Sequence, residues 1–266
     1  MQLSQLLLLP FSLFFLGKGD MVFNFFDYAP TVQLAAQNPL PISFHEHKQI
    51  ISYYKDVELE INRLIPQQLN HPAAISFIQN VEQNIVMDIC MHANNSNCFD
   101  LSNAYRDLTI LHKTLKKDAP EISPWKVKFD YTIKSTGPKI LCIEEFVSYA
   151  TDGYADMEST SYMMFNLENG EILFEEDIFK DIQAILPIVE NAFKAYWLEK
   201  EGREISNYEL EEISFPNNEF ALPSAIGMTE TDILFTYDRG EYMHDAYPAV
   251  RLAIPKSAFG ENLLFQ

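Results

Sequence analysis

Trp125-Lys126-Val127-Lys128-Phe129-Asp130-Tyr131-Thr132-Ile133 is the stretch on which the fold turns. Apolar and polar residues alternate along it, the two-residue period of a strand with one buried face. Ser135-Thr136-Gly137-Pro138 has the composition of a turn, and residues 140–149 return as a second strand, so the pair reads as a hairpin. Downstream, residues 161–167 and 172–174 read as further strands on either side of Glu168-Asn169-Gly170-Glu171. Glu175-Glu176-Asp177 places anions where they support the start of a helix. Residues 182–198 then carry Ile185, Ile188, Val189, Ala192, Phe193 and Tyr196 as the core stripe of a long helix.

Upstream of the hairpin the period changes. Leu59, Ile61, Leu64, Ile65 and Leu69 fall near helical spacing, and Ile75, Ile78, Val81, Ile85 and Ile89 repeat the pattern beyond His71-Pro72, which predicts two helices broken at the proline. Residues 101–115 supply another helical run, with Leu108, Leu111 and Leu115 on one face and Lys113, Lys116 and Lys117 near the carboxyl end. His45-Glu46-His47 reads as an exposed polar approach to the first helix. The expected class is therefore α+β: a helical amino-terminal part followed by an antiparallel sheet packed on a long helix.

At 266 residues and 47% apolar, the chain is long enough to bury a full core. The segments expected are a signal-like apolar stretch at 1–20, a linker and approach at 21–54, a first α+β half of helices and hairpin at 55–160, and a second half of strands, helix and strands at 161–266. The apolar run Leu6 to Leu16 has signal-peptide length and is too short to span a bilayer, which predicts an extracytoplasmic protein, periplasmic or secreted. A buried amino-terminal segment is the alternative reading of that run. No Lys or Arg precedes it and no cysteine follows it as a lipid anchor.

A formal charge of −19 opposes nucleic-acid binding, since phosphate recognition needs clustered Lys and Arg. A basic partner would be attracted, although an acidic surface also serves solubility alone. Cys90 and Cys98 flank Asn94-Asn95-Ser96-Asn97, close enough for a local disulfide, while Cys142 lies in an apolar strand; three reduced cysteines fit the sequence equally well. No Walker A, dinucleotide-glycine or GxSxG pattern occurs, which argues against an enzyme and implies no cofactor. His45, Glu46 and His47 are too close in sequence to fix a coordination sphere. Asp152, Asp156 and Glu158 beside Gly153 lack the ligand order of a calcium loop, so no metal is expected.

The last quarter carries Phe220-Ala221-Leu222, then Ile233-Leu234-Phe235-Thr236-Tyr237-Asp238-Arg239-Gly240-Glu241-Tyr242, then Val250-Arg251-Leu252-Ala253-Ile254-Pro255. Before it come Tyr149-Ala150-Thr151-Asp152-Gly153-Tyr154-Ala155, Asn166-Leu167-Glu168-Asn169-Gly170-Glu171 and Asp177-Ile178-Phe179, and Ile61-Asn62 lies near the start. In this order the motifs resemble the extracytoplasmic sensing domain of lysozyme-binding anti-sigma-V factors, a domain also found beside peptidoglycan deacetylases. The resemblance runs over roughly residues 55–260. It departs where the family's loop histidine falls near Ala155, and where Asp238-Arg239-Gly240-Glu241 keeps only the glutamate of the family's Asn-Pro-Tyr-Glu.

What the resemblance implies is a non-enzymatic ligand-binding protein of the bacterial cell envelope, whose partner is a basic protein of lysozyme type or an envelope glycan. An accessory or degenerate glycan enzyme and a structural envelope protein are the alternatives. A complete anti-sigma factor would need a spanning helix of about 20 apolar residues, and the sequence has none. Binding residues concentrate in loops carried on a rigid scaffold, which points to Asp152, Gly153, Tyr154 and Asp156 in one loop and Asp238, Glu241, Tyr242 and Tyr247 in the other. Tyrosines beside carboxylates offer rigid apolar faces with a polar handle. Core packing of one or two of these rings is the competing reading.

Overall fold

The computed structural model describes residues 42–93, 99–151, 157–202, 215, 219–239, 241 and 249–265, all within one compact unit of the chain. Among them eight strands and four helices form two sheets. The expectation of mixed α+β content holds. Its finer form does not, because the described residues begin with strands and build two sheets where one was expected.

The first correction concerns residues 57–69. Strand β1 (Phe44–Tyr54) and strand β2 (Val57–Pro66) form an antiparallel pair, so the run from Val57 is a strand and His45-Glu46-His47 is part of the hairpin's first strand and no approach to a helix. Val57, Leu59 and Ile61 are fully buried at every second position, a spacing that puts side chains on one face of a strand and on different sides of a helix. β-branched Val57, Ile61 and Ile65 fit the pleated conformation better than a helix. Pro72 accordingly does not break a helix. It stands at the first position of helix α1 (Pro72–His92), where its missing N–H costs nothing, and the His71 ring accepts the Ala73 N–H at 3.2 Å as the cap.

Helix α2 (Leu101–Asp118) starts on Asp100, whose carboxylate accepts the Asn103 N–H at 2.8 Å. The Tyr105 hydroxyl locks α2 to the first hairpin, donating to the Val57 carbonyl at 2.9 Å and accepting from the Tyr54 N–H at 3.0 Å. Strands β3 (Trp125–Thr136), β4 (Ile140–Ala150) and β5 (Met157–Asn166) continue the sheet in antiparallel order, as the sequence predicts. β2 and β3 instead run parallel, with Val57 opposite Trp125, and α1 and α2 form the crossover that a parallel pair requires. The sheet order is β1-β2-β3-β4-β5. On its helix face Leu59, Ile61, Phe77, Ile85, Val127, Phe129 and Phe165 make one core.

Beyond a single-turn helix α3 (Glu175–Ile178), helix α4 (Ile182–Glu201) is capped by Asp181, which accepts from Gln183 and Ala184 N–H at 2.9 and 3.3 Å. Ile185, Val189, Phe193 and Trp197 are its buried stripe, while Ile188, Ala192 and Tyr196 are only half-buried. This stripe joins the core of a second antiparallel sheet made of β6 (Ala225–Met228), β7 (Asp232–Tyr237) and β8 (Val250–Pro255). The long helix therefore shares its core with the small sheet, whereas α1 and α2 cover the large one. Phe193 anchors this core, with Tyr237, Phe220 and Phe215 rings at 5.1, 5.7 and 6.1 Å.

The two sheets meet where β6 crosses β4 and β5. Met228 N–H donates to the Cys142 sulfur at 3.3 Å, and the Tyr162 hydroxyl shares a proton contact of 3.0 Å with Thr236. Gly227 makes this approach workable, since a Cβ there would lie 2.4 Å from the Tyr162 ring. Gly170, at φ 78°, plays the same part at the foot of α1, where a Cβ would meet the Pro72 backbone at 2.6 Å. Among the described residues no helix is long and apolar enough to cross a membrane.

Candidate functional site

Among the described residues the second face of the five-stranded sheet is only half covered, and strand register determines what it presents. Lys48, Asn62, Asp130, Phe146 and Thr160 stand in one row across five strands, and Ile50, Glu60, Lys128, Ser148 and Glu158 in the next. Over β4 and β5 the small sheet packs onto this face, while over β1 to β3 it carries charged side chains. Those charges are paired. Lys48 and Lys126 reach Glu60 at 2.8 and 3.1 Å, Lys126 also reaches Glu58 at 3.1 Å, and Lys128 meets Asp130 at 2.6 Å. Asn62 donates to Asp130 and to Glu60, which ties the rows together.

The electrostatic consequence is clearest at Glu60. The hydrogen bond from Lys48, aided by Lys126 and Asn62, outweighs desolvation and holds its carboxyl down to about 2. At the end of the same hairpin the Lys116 ammonium, 2.8 Å away, holds Asp56 below the ordinary carboxylate range. This face is thus a lattice of fixed, paired charges with Arg251 at its margin, the guanidinium lying 5.9 Å above the Phe146 ring and 3.4 Å from the Thr160 hydroxyl.

The turn after β7 lies against this margin. Asp238 accepts the Thr160 N–H at 2.6 Å, and Glu241 accepts from the Ser224 N–H at 2.7 Å and the Asp238 N–H at 3.2 Å. Both carboxylates therefore pin the turn to its surroundings through backbone groups. Burial pushes Asp238 up, against the opposing pull of the Thr160 amide. Thr160 lies near the start of β5, so the turn and that end of β5 adjoin each other. Tyr237, just before the turn, is fully buried with its hydroxyl on the Ala221 carbonyl at 3.1 Å, so this ring belongs to the core.

Of the other residues singled out in the sequence, Asp152, Gly153, Tyr154, Asp156, Tyr242 and Tyr247 lie outside the described residues, as do Ala155 and Cys98. Cys90 is disulfide-bonded, and Cys142 is a free buried thiol that desolvation pushes up to about 12. Glu158 is exposed at the start of β5. His45 and His47 are exposed on β1, and no group of three or more metal-ligating side chains comes together among the described residues.

Sequence reasoning missed a polar group on the opposite, helix-covered face. Glu145 is buried there, with Tyr131 donating to one oxygen and Ser161 to the other at 3.0 Å. On α1, Asp88 accepts the Tyr149 hydroxyl at 3.1 Å, and His92 stacks on the Tyr149 ring at 4.0 Å. The available signal was Glu144-Glu145 inside the apolar strand 140–149: alternation sends one glutamate to each face, so one had to be buried.

No protein-family model matches the chain, and no curated protein matches it in sequence. Its fold does match solved structures. A DUF3298 family protein from Pseudomonas aeruginosa PAO1 is similar with a TM-score of 0.57 at 15% identity, over 82% of this chain and 92% of that one. A member of the same family from Bacteroides fragilis NCTC 9343 is similar with a TM-score of 0.59 at 15% identity, over 84% of this chain and 92% of that one. At this identity the likeness speaks for architecture alone: the chain has the fold of DUF3298 proteins, an uncharacterised domain family.

Proposed function

We propose that the chain is an extracytoplasmic, non-enzymatic binding protein of the bacterial cell envelope that takes a basic protein of lysozyme type on the half-open face of its large sheet. The observation that carries the reading is that face: a rigid five-stranded platform whose carboxylates are fixed by lysines, bordered by Arg251, Phe146 and the pinned turn at Asp238. A net charge of −19 supports a basic partner, because complementary fields speed encounter. The disulfide at Cys90 supports an oxidising compartment. The resemblance in the closing strands supplies the ligand class.

Surface plasmon resonance against a basic lysozyme at two salt concentrations tests the proposal. Glu58→Gln and Glu158→Gln leave the core intact and are expected to slow association several-fold at low salt. The effect should shrink at physiological ionic strength, where the Debye length is about 8 Å. Absence of binding to the lysozyme, with turnover of an acetylated envelope glycan by the same preparation, would move the reading to a deacetylase-associated enzyme. Absence of both would leave a structural envelope protein.

A further inference from the structure

His45 and His47 gain a different meaning once their segment is a strand. On an approach to a helix the triplet His45-Glu46-His47 offers no coordination sphere, and within a helix positions i and i+2 stand about 200° apart around the axis. In a strand they share one face. β1 pairs with β2 without interruption from Phe44 to Ile51, with His45 opposite Ile65, Glu46 opposite Leu64 and His47 opposite Arg63, so the strand is regular through the triplet. A rise of about 3.3 Å per residue puts the two Cα atoms roughly 6.6 Å apart with their side chains on the same side. Two imidazoles so placed reach one ion, whose ligand nitrogens stand about 3 Å from one another at metal-to-nitrogen distances of about 2 Å.

The surroundings leave both rings available. His45 and His47 are exposed, and neither ring has a hydrogen-bond, ion-pair or ring partner among the described residues. Alternation sends Glu46 and Lys48 to the other side of the strand, where Glu60 holds Lys48 at 2.8 Å. The cation nearest in register is Arg63, and its Nε is buried while the imidazoles are exposed. Its charge acts on Glu82 and on the Tyr131 hydroxyl. A net charge of −19 draws cations to the whole surface, and a chelating pair fixes where one of them sits.

We propose that His45 and His47 chelate one divalent transition-metal ion on β1, the outermost strand of the large sheet, with solvent oxygen completing the coordination. The donor type selects the ion. Imidazole nitrogen suits Cu²⁺, Ni²⁺ and Zn²⁺, with Cu²⁺ bound most tightly of the three, whereas Ca²⁺ and Mg²⁺ take oxygen ligands. The pair lies on the opposite side of β1 from Lys48 and the lattice of paired charges, so this inference stands apart from the reading of that face as a lysozyme-binding surface.

Isothermal titration calorimetry with Cu²⁺ in a non-coordinating buffer at neutral pH tests it on the wild type, His45→Ala, His47→Ala, Glu46→Gln and the double variant Glu46→His with His47→Ala. The double variant keeps two imidazoles but puts them on opposite sides of the strand. Each replaced side chain is exposed, so the fold does not depend on it, and circular dichroism verifies that. Losing the second ligand of a chelate is expected to weaken the tightest site at least about tenfold in His45→Ala, in His47→Ala and in the double variant, while Glu46→Gln stays within about twofold of the wild type. Affinity that survives either single replacement, or that is restored in the double variant, overturns the proposal. Electron paramagnetic resonance of the wild type with one equivalent of Cu²⁺ gives an independent reading: two nitrogen ligands are expected, and a single nitrogen ligand rules the chelate out.

Discussion

Glu60 and Glu145 stand two strands apart in one sheet and respond to their surroundings in opposite directions. Glu60, on the open face, is gripped by Lys48 and Lys126, and its carboxyl falls to about 2. Glu145, on the face under α1, meets tyrosine and serine hydroxyls, and burial pushes its carboxyl up. Both are almost fully shielded, with relative exposures of 5% and 7%. Burial alone therefore does not set the direction. Lysines can reach the open face because their ammonium groups stay at the water boundary while their stems lie along the strand. Under α1 the apolar core excludes a hydrated ammonium, and the carboxyl keeps the cost of its own desolvation.

The sharpest way to break this contrast is to put a charge on each face. Ile61 is fully buried under the helices, and Asn62 next to it lies on the open face. Ile61→Lys is expected to cost more than about 4 kcal/mol and abolish cooperative folding, as an unpaired buried charge does. Asn62→Lys should leave a folded chain with a change below about 1 kcal/mol, since Asp130 and Glu60 adjoin it. Circular dichroism with urea titration reads both, and a folded Ile61→Lys protein would show that the helix face is wetter than the packing implies.

An intermediate effect is expected from packing. Phe129→Ala removes a fully buried ring on the helix face and should cost about 3–5 kcal/mol, whereas Lys128→Ala beside it should cost less than about 1 kcal/mol. Equal denaturation midpoints for the two would contradict the burial pattern of β3. The smallest effect concerns Glu60 itself. Its folded pKa lies below the unfolded value, so its contribution is present above about 4.5 and is lost as pH falls toward about 2. Glu60→Gln should therefore be about 1 kcal/mol less stable than the wild type at pH 7 and about equal to it near pH 2. A difference that persists undiminished near pH 2 would mean that the ion pairs contribute nothing.

Much of this was legible locally. The alternation from Trp125 gave β3 and its hairpin partner β4, and the repeats at 75–89 and 101–115 gave α1 and α2. The stripe after Asp181 gave α4, because each of these segments carries one unambiguous period and its own cap or turn. Residues 57–69 carried both periods at once, since Leu59 and Ile61 fit a strand while Leu64, Ile65 and Leu69 suggest a helix. Of the candidate site, Asp238 and Glu241 were legible as a polar turn, but not as groups bound to backbone amides of β5 and of Ser224.

The sequence by itself determined the alternating and helical segments, the acidic charge and the absence of familiar catalytic motifs. Those are properties of neighbours along the chain. Only the tertiary structure decided that β2 is an inner strand, because one of the two partners that satisfy its backbone groups, β3, lies across a two-helix crossover. Only it decided that the strands divide into two sheets, and which glutamate would be gripped by lysines and which left to hydroxyls. The strand period assigns residues to alternate faces but does not say what covers each face, and it is the covering layer that sets both the desolvation of a carboxyl and the charge available to offset it.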